Sequence, residues 1–272
     1  MDAGATVKTS ALTRETFRIE FGSIAVEYSL ADDYSRAWFL PRYEGGRLHE
    51  AGTCHLLAAH AASARCFVDV GANLGYYTCL VAKLNPRCAV YSFEMDGANH
   101  ALLDTNVALN ECRNVTTIRA AVTSGCGDER YQRLWSRADS GLALWRGAQP
   151  PRRGELTTVQ GVSLDAFFAT AACLPDVIKI DVEGAEGLVI AGMGALLRRC
   201  RPVLFVEVHP MQVLRFGTSA SQLAEVLASA GYCVSEVPAG DGVPSAAAPP
   251  PAFPTKVPFE RNSMWYARPA AA

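Results

Sequence analysis

From residue 66 onward the chain alternates short apolar runs with amphipathic stretches, and this alternation narrows the fold more than any other feature. "CFVDVG", "CAVYSFEM", "VTTIRAAVT", "DVIKIDVEG" and "PVLFVEV" have the length and composition of buried strands. Between them, "YYTCLVAKLN", "ANHALLDTNVALNE", "SLDAFFATA", "GLVIAGMGALLRRC" and "SQLAEVLASAG" have helical spacing. Strands alternating with helices imply an α/β fold, a mostly parallel sheet with helices on both faces. "YCVSEV" and "SMWYARP" supply two final strands, separated by a Pro/Ala-rich loop over 238–258. Upstream, "TFRIEFGSIAVEYSL" alternates about Gly22-Ser23 as a β-hairpin does. A turn or short helix over "DDYSRAWFLPRYEGG" and a helix over "RLHEAGTCHLLAAHAA" follow. Residues 1–62 therefore read as a small hairpin and helix cap, and 63–272 as the main domain. Residues 123–158, rich in Gly, Arg and Ser, read as an irregular excursion.

With 272 residues, half of them hydrophobic, the chain can bury a sizeable core. A formal charge of −2 gives no basic footprint for nucleic acid. No apolar run reaches the ~18 residues of a membrane span, and "MDAGATVKTS" is not a secretory leader. Nine cysteines without a CxxC pair support neither a zinc knuckle nor a redox couple and fit a reducing cytoplasm. His49, His55 and His60 do not share one helix face and so predict no metal site.

The turn after the first strand of the alternation, Gly71-Ala72-Asn73-Leu74-Gly75, has three residues between its glycines and is not the G-x-G-x-x-G turn that holds a pyrophosphate. Asp69, just ahead of it, would repel a phosphate and attract a cation. S-adenosylmethionine is a sulfonium with an amino-acid tail and no phosphate. Glu94 closes the next strand about 20 residues on, where a carboxylate accepts from ribose hydroxyls.

"FVDVGANLGYYT", "FEMDGANHALLDTNVALN", "AAV", "SLDAF", "IKIDVEGAE" and "VEVHP" resemble, in order, the blocks of the FkbM family of S-adenosylmethionine-dependent methyltransferases, over about residues 43–236. The resemblance implies a Rossmann-like class I methyltransferase sheet and a cofactor site formed by Asp69, Gly71, Asn73, Gly75, Tyr76, Glu94 and Met95. It also implies that Ala121 presents backbone to adenine. Met95 stands where the family usually has proline.

In an open α/β sheet the ligand lies beyond the carboxyl ends of the strands, which gathers Asp181, Glu183, Glu186, Glu207 and His209 at one crevice. Transfer to a hydroxyl needs a base, and His209, with an ordinary pKa of about 6.5, is the expected one. Glu183 and Glu207 are its alternatives, and Asp181 orients the acceptor or meets the cofactor's ammonium. A divalent cation, Mg²⁺ or Mn²⁺, is an option without a spaced motif to support it. The expected activity is O-methylation of a small hydroxylated molecule, a sugar or natural-product intermediate. A nicotinamide-dependent dehydrogenase and a non-catalytic cofactor-binding domain are the competing readings. No oligomeric state is specified.

Overall fold

The computed structural model describes residues 9–11, 15–43, 48–133, 142–145, 156–237 and 261–270. In chain order the N-terminal segment gives β1 (Thr9–Ala11), β2 (Thr16–Phe21), β3 (Ile24–Ser29), a wide helical turn at Ser35–Phe39, α1 (Leu40–Tyr43) and α2 (Ala51–Ala61). The main unit continues with β4 (Cys66–Val70), α3 (Tyr76–Leu84), β5 (Ala89–Phe93), α4 (Gly97–Leu109), β6 (Val115–Ile118), β7 (Ala121–Val122), β8 (Gly127–Arg133), β9 (Leu142–Leu144) and β10 (Leu156–Val162). It ends with α5 (Leu164–Phe167), β11 (Val177–Ile180), α6 (Glu186–Ala191), α7 (Gly194–Arg199), β12 (Val203–Val208), α8 (Pro210–Val213), α9 (Ala220–Ser229), β13 (Tyr232–Glu236) and β14 (Ser263–Pro269).

Seven strands form the central sheet in the order β13-β14-β12-β11-β4-β5-β6. Pairing is parallel from β6 to β12, and β14 inserts antiparallel between β12 and β13. The sheet is the mostly parallel, Rossmann-like sheet expected from the sequence. Its order reverses between β4 and β11, the switch point at which such sheets open a crevice.

The period-2 pleat sorts the strand residues into two cores. Cys66, Val68, Val70, Ile178, Ile180, Leu204, Val206 and Val208 pack with the helices of one face. Phe67, Val177 and Phe205 point the other way, into the core shared with the hairpin, α2 and α3. Asp69, Lys179 and Glu207 follow these three residues by two positions each, so the pleat puts their side chains on that second face.

Two polar clips fasten the hairpin to the main unit. Asn106 Oδ1 accepts from Ser29 N at 2.8 Å while its Nδ2 donates to Leu74 O at 2.7 Å. Asn110 Oδ1 accepts from Glu27 N at 2.8 Å. The "NVALN" block thus holds β3 onto α4.

Three expectations are corrected. Residues 123–158 are not uniformly irregular: β8, β9 and β10 join β7 in a second sheet of order β7-β10-β8-β9, whose polar, half-exposed strands carry little apolar signal. "VTTIRAAVT" is two strands, because the chain leaves the main sheet after Ile118 and β7 pairs with β10. "GLVIAGMGALLRRC" is two helices broken at Gly192-Met193, where a Cβ on Gly192 would strike the carbonyl oxygen of Thr123. The expected loop 238–258 and Pro150-Pro151 lie outside the described residues. Among the described residues no helix is long and apolar enough to cross a membrane.

Candidate active site

A cavity of about 320 Å³ opens at the carboxyl ends of β4, β5, β11 and β12 and is covered by the N-terminal segment. At its floor Asp69 is buried, and Thr78 Oγ1 donates to its Oδ2 at 2.7 Å. Its Oδ1 is buried with no hydrogen-bond partner. Burial raises the Asp69 pKa, and the charge of Lys179, its register partner on β11, offsets part of that rise. A buried carboxylate oxygen left unsatisfied costs about 1–3 kcal/mol, so the floor is suited to a cationic ligand group.

The glycine turn builds the next wall. Gly71 has φ 81, and a Cβ there would run into the carbonyl oxygen of Asp181. Gly75 has φ 90 and caps α3. Asn73 also adopts a left-handed conformation, at φ 52, and exchanges hydrogen bonds with Tyr34 of the N-terminal segment (Nδ2 to Oη 2.9 Å). Glu94, buried after β5, accepts from Asn73 N and Asp96 N, each at 2.8 Å. Burial pushes its pKa up to about 7, against the pull of those two N–H groups. Asp96 caps α4 and pairs with Arg133, which ties the second sheet to this edge of the cavity. Met95, Ala121 and Val122 line the same side.

The N-terminal segment contributes Trp38, Phe39, Arg42, Tyr43, His49 and Glu50. Trp38 stacks on Tyr34 with ring centroids 5.1 Å apart, and the Arg42 guanidinium lies 3.9 Å above the Trp38 ring. Tyr77 Oη donates to Glu50 Oε2 at 2.7 Å. Tyr76 and Tyr77 are both buried against this segment, and both also touch the cavity, so neither is purely core-facing or cofactor-facing.

The end of the cavity beyond β11 and β12 is charged. Lys179 is buried, with Nζ 3.1 Å from Asp181 Oδ2. Burial alone would raise the Asp181 pKa, but the charges of Lys179 and His209 and the hydrogen bonds from Lys179 and Glu207 together outweigh it and hold the carboxyl below its usual range. Glu207 beside it goes the other way, up to about 9, chiefly because of the Asp181 charge and then burial. His209 is buried, its Nδ1 2.7 Å from Glu186 Oε1 and its Nε2 3.5 Å from Glu183 and 3.8 Å from Glu207. Burial lowers its pKa, but the Glu186 hydrogen bond and the charges of Glu186, Asp181 and Glu183 together raise it to about 9. His209 therefore carries its proton at neutral pH, unlike the free imidazole assumed from sequence. Asp181, Glu207 and His209 each offer a ligand atom, all within 4.8 Å of one another.

The family model "Methyltransferase FkbM domain" matches residues 69–234. The chain belongs to the FkbM methyltransferase family. The match is to a methyltransferase domain, which sets aside the nicotinamide-dependent dehydrogenase. No curated protein matches the chain. Among solved structures, the methyltransferase FkbM of Methylobacillus flagellatus is similar at 13% identity and a TM-score of 0.48; the match covers 75% of this chain and 43% of that one, so this chain spans less than half its length. An O-methyltransferase of Bacillus cereus in complex with SAH is similar at 13% identity and TM-score 0.46, covering 88% and 91% of the two chains. The fibrillarin pre-rRNA processing protein of Methanococcus jannaschii has 12% identity and TM-score 0.45, with 96% of each chain covered.

In this FkbM methyltransferase the site residues singled out in the sequence line this cavity except Gly75, which caps the helix beside it, and Glu186, which bonds His209 Nδ1. The structure adds Lys179 and the N-terminal residues. Lys179 was readable from the alternation that carries Asp69, and the aromatic and basic density of "DYSRAWFLPRY" signalled a ligand-facing segment.

Proposed function

We propose that this methyltransferase transfers a methyl group to a hydroxyl of a small molecule, a sugar or natural-product intermediate, in the cytoplasm. The observation that carries the reading is a cavity whose floor suits a sulfonium cofactor and whose far end is crowded with hydrogen-bonding side chains. The cofactor, when bound, supplies an electrophilic methyl. Asp69, with its unsatisfied Oδ1, would hold the ammonium of the amino-acid tail; Gly71, Asn73 and Gly75 let the backbone approach; Glu94 would accept from the ribose hydroxyls, with Met95, Ala121 and Tyr76 around the adenosine. The donor set fits the group.

At the far end, Asp181 and Glu183 are positioned to accept from the acceptor, while Glu207 and the His209 imidazolium are positioned to donate to it. Such placement of the reacting hydroxyl is the main contribution a methyltransferase makes. The Lys179 ammonium already neutralises Asp181, so the reading requires no divalent metal there. Many carboxylates and few cations line the cavity, which disfavours a polyanion such as nucleic acid as acceptor. All nine cysteines are free thiols, consistent with a reducing compartment.

The test is turnover of methyl-labelled cofactor with a panel of monosaccharides, phenols and amines, with and without EDTA. Labelled methyl ethers formed at the same rate in EDTA support the reading. Labelled amines alone contradict it.

A further inference from the structure

Two imidazoles line the cavity, and the fold treats them in opposite ways. His209 is held by a hydrogen bond between Nδ1 and Glu186 at 2.7 Å, and its Nε2 faces Glu183 and Glu207 at ion-pair distances of 3.5 and 3.8 Å. Although burial lowers its pKa, the Glu186 hydrogen bond and the surrounding carboxylate charges favour the protonated form of His209, which donates rather than receives a proton. His49 lies in the turn ahead of α2, on the wall formed by the N-terminal segment. Its side chain is 44% exposed, and its nearest carboxylate, Glu50 Oε1, is 3.6 Å from Nε2, beyond hydrogen-bond reach.

Glu50 is drawn away by Tyr77, which bonds its other oxygen at 2.7 Å. The backbone of Glu50 adopts φ 53, a left-handed conformation that a residue with a side chain occupies only at a cost. Such strain persists where the surroundings fix it, commonly at functional sites.

We propose that His49 is the general base of methyl transfer, a catalytic residue that takes the proton of the acceptor hydroxyl. The proposal rests on the O-methylation reading. The acceptor oxygen forms a bond to the methyl carbon as the carbon–sulfur bond breaks. The bonding pair stays on sulfur, which becomes a neutral thioether, and the hydroxyl proton passes to the His49 imidazole and then to solvent through its exposed edge. The charged groups that face His49 are Glu50 and Arg42 from the N-terminal segment and Asp181 and Lys179 from the end of β11. Burial, with the charges of Arg42 and Lys179, lowers its pKa more than Glu50 and Asp181 raise it, which favours the unprotonated ring a base needs. His209, which lines the same cavity, is then left to hold the acceptor oxygen by hydrogen bonding.

The experiment combines a binding, a spectroscopic and a kinetic readout on the full chain. In the proton NMR titration of the wild type, the imidazole resonance that disappears in His49→Gln is expected to titrate below pH 6.5. His49→Gln and His49→Asn are expected to bind S-adenosylmethionine within about threefold of wild type. On any panel hydroxyl that the wild type methylates, kcat is expected to fall by roughly 10²–10⁴-fold and the acid limb of the kcat profile to vanish. A His49 resonance titrating above pH 7, or variants with wild-type kcat and an unchanged acid limb, overturns the base alone. Wild type that methylates panel amines but no hydroxyl overturns the O-methylation reading, and the base with it.

Discussion

The backbone N–H of Asn73 donates to Glu94 Oε2 at 2.8 Å, so the glycine turn after β4 is tied to the acid that follows β5. One carboxylate both shapes the turn and, in the proposed site, receives the ribose. Glu94 is held near pKa 7 by burial. A raised acid contributes stability that is complete below its unfolded value of about 4.3 and is lost as pH rises through the folded value. The free protein is therefore expected to lose stability as pH rises through about 7. Hydroxyl donors favour the anion, so the affinity for S-adenosylmethionine should tighten severalfold from pH 6 to pH 8, with proton release on binding. Calorimetry in two buffers of different ionisation enthalpy measures that release, which should disappear in Glu94→Gln.

Lys179 is buried between Asp69 and Asp181 and has its pKa raised by their charges despite burial. Lys179→Met leaves these carboxylates without their cation and should cost about 3–5 kcal/mol of stability at pH 7. The sign with pH follows from Asp181, whose folded pKa is depressed. Its contribution is present above the unfolded value of about 3.9 and is lost as pH falls through the folded one. Wild type should weaken on that acid side, and Lys179→Met should lose this part of the dependence. Urea unfolding at several pH values checks both.

Gly71→Ala forces a side chain into left-handed backbone and against the Asp181 carbonyl. The expected loss is at least about 1–3 kcal/mol. Because this carbonyl is backbone at the switch point, cofactor affinity should fall together with melting temperature. A variant that melts like wild type and binds normally would show that the turn does not need its glycine.

Asn106 is fully buried and bridges Ser29 N and Leu74 O. Asn106→Ala strands both groups and should cost about 2–6 kcal/mol, given about 1–3 kcal/mol for each unsatisfied partner. Hydrogen exchange should then rise first at Ser29 and its neighbours in β3.

The main sheet was legible because its strands are short, apolar and buried, and Asp69 and Glu94 stood out as acids at the ends of two of them. The second sheet was not legible: β8 and β10 are largely polar and half exposed, and their pairing is fixed by tertiary contacts with β7 rather than by apolar alternation. The positions of His209 and Glu207 were legible, but their protonation was not. That depends on Glu186 and Asp181 being brought within contact distance, which spacing along the chain does not reveal. His49 was set aside as one of three scattered histidines, since nothing in a linear sequence places the turn before α2 over the ends of β11 and β12.

The central claim is that Asp69 at the floor of this cavity and Glu94 on the wall beside it bind S-adenosylmethionine. Isothermal titration of the cofactor into wild type, Asp69→Ala and Glu94→Ala tests it most directly. The account predicts a wild type that binds and two variants each weakened by about 1–3 kcal/mol, as for loss of a charge-assisted hydrogen bond, with folds intact by circular dichroism. Wild-type affinity in both folded variants would contradict it.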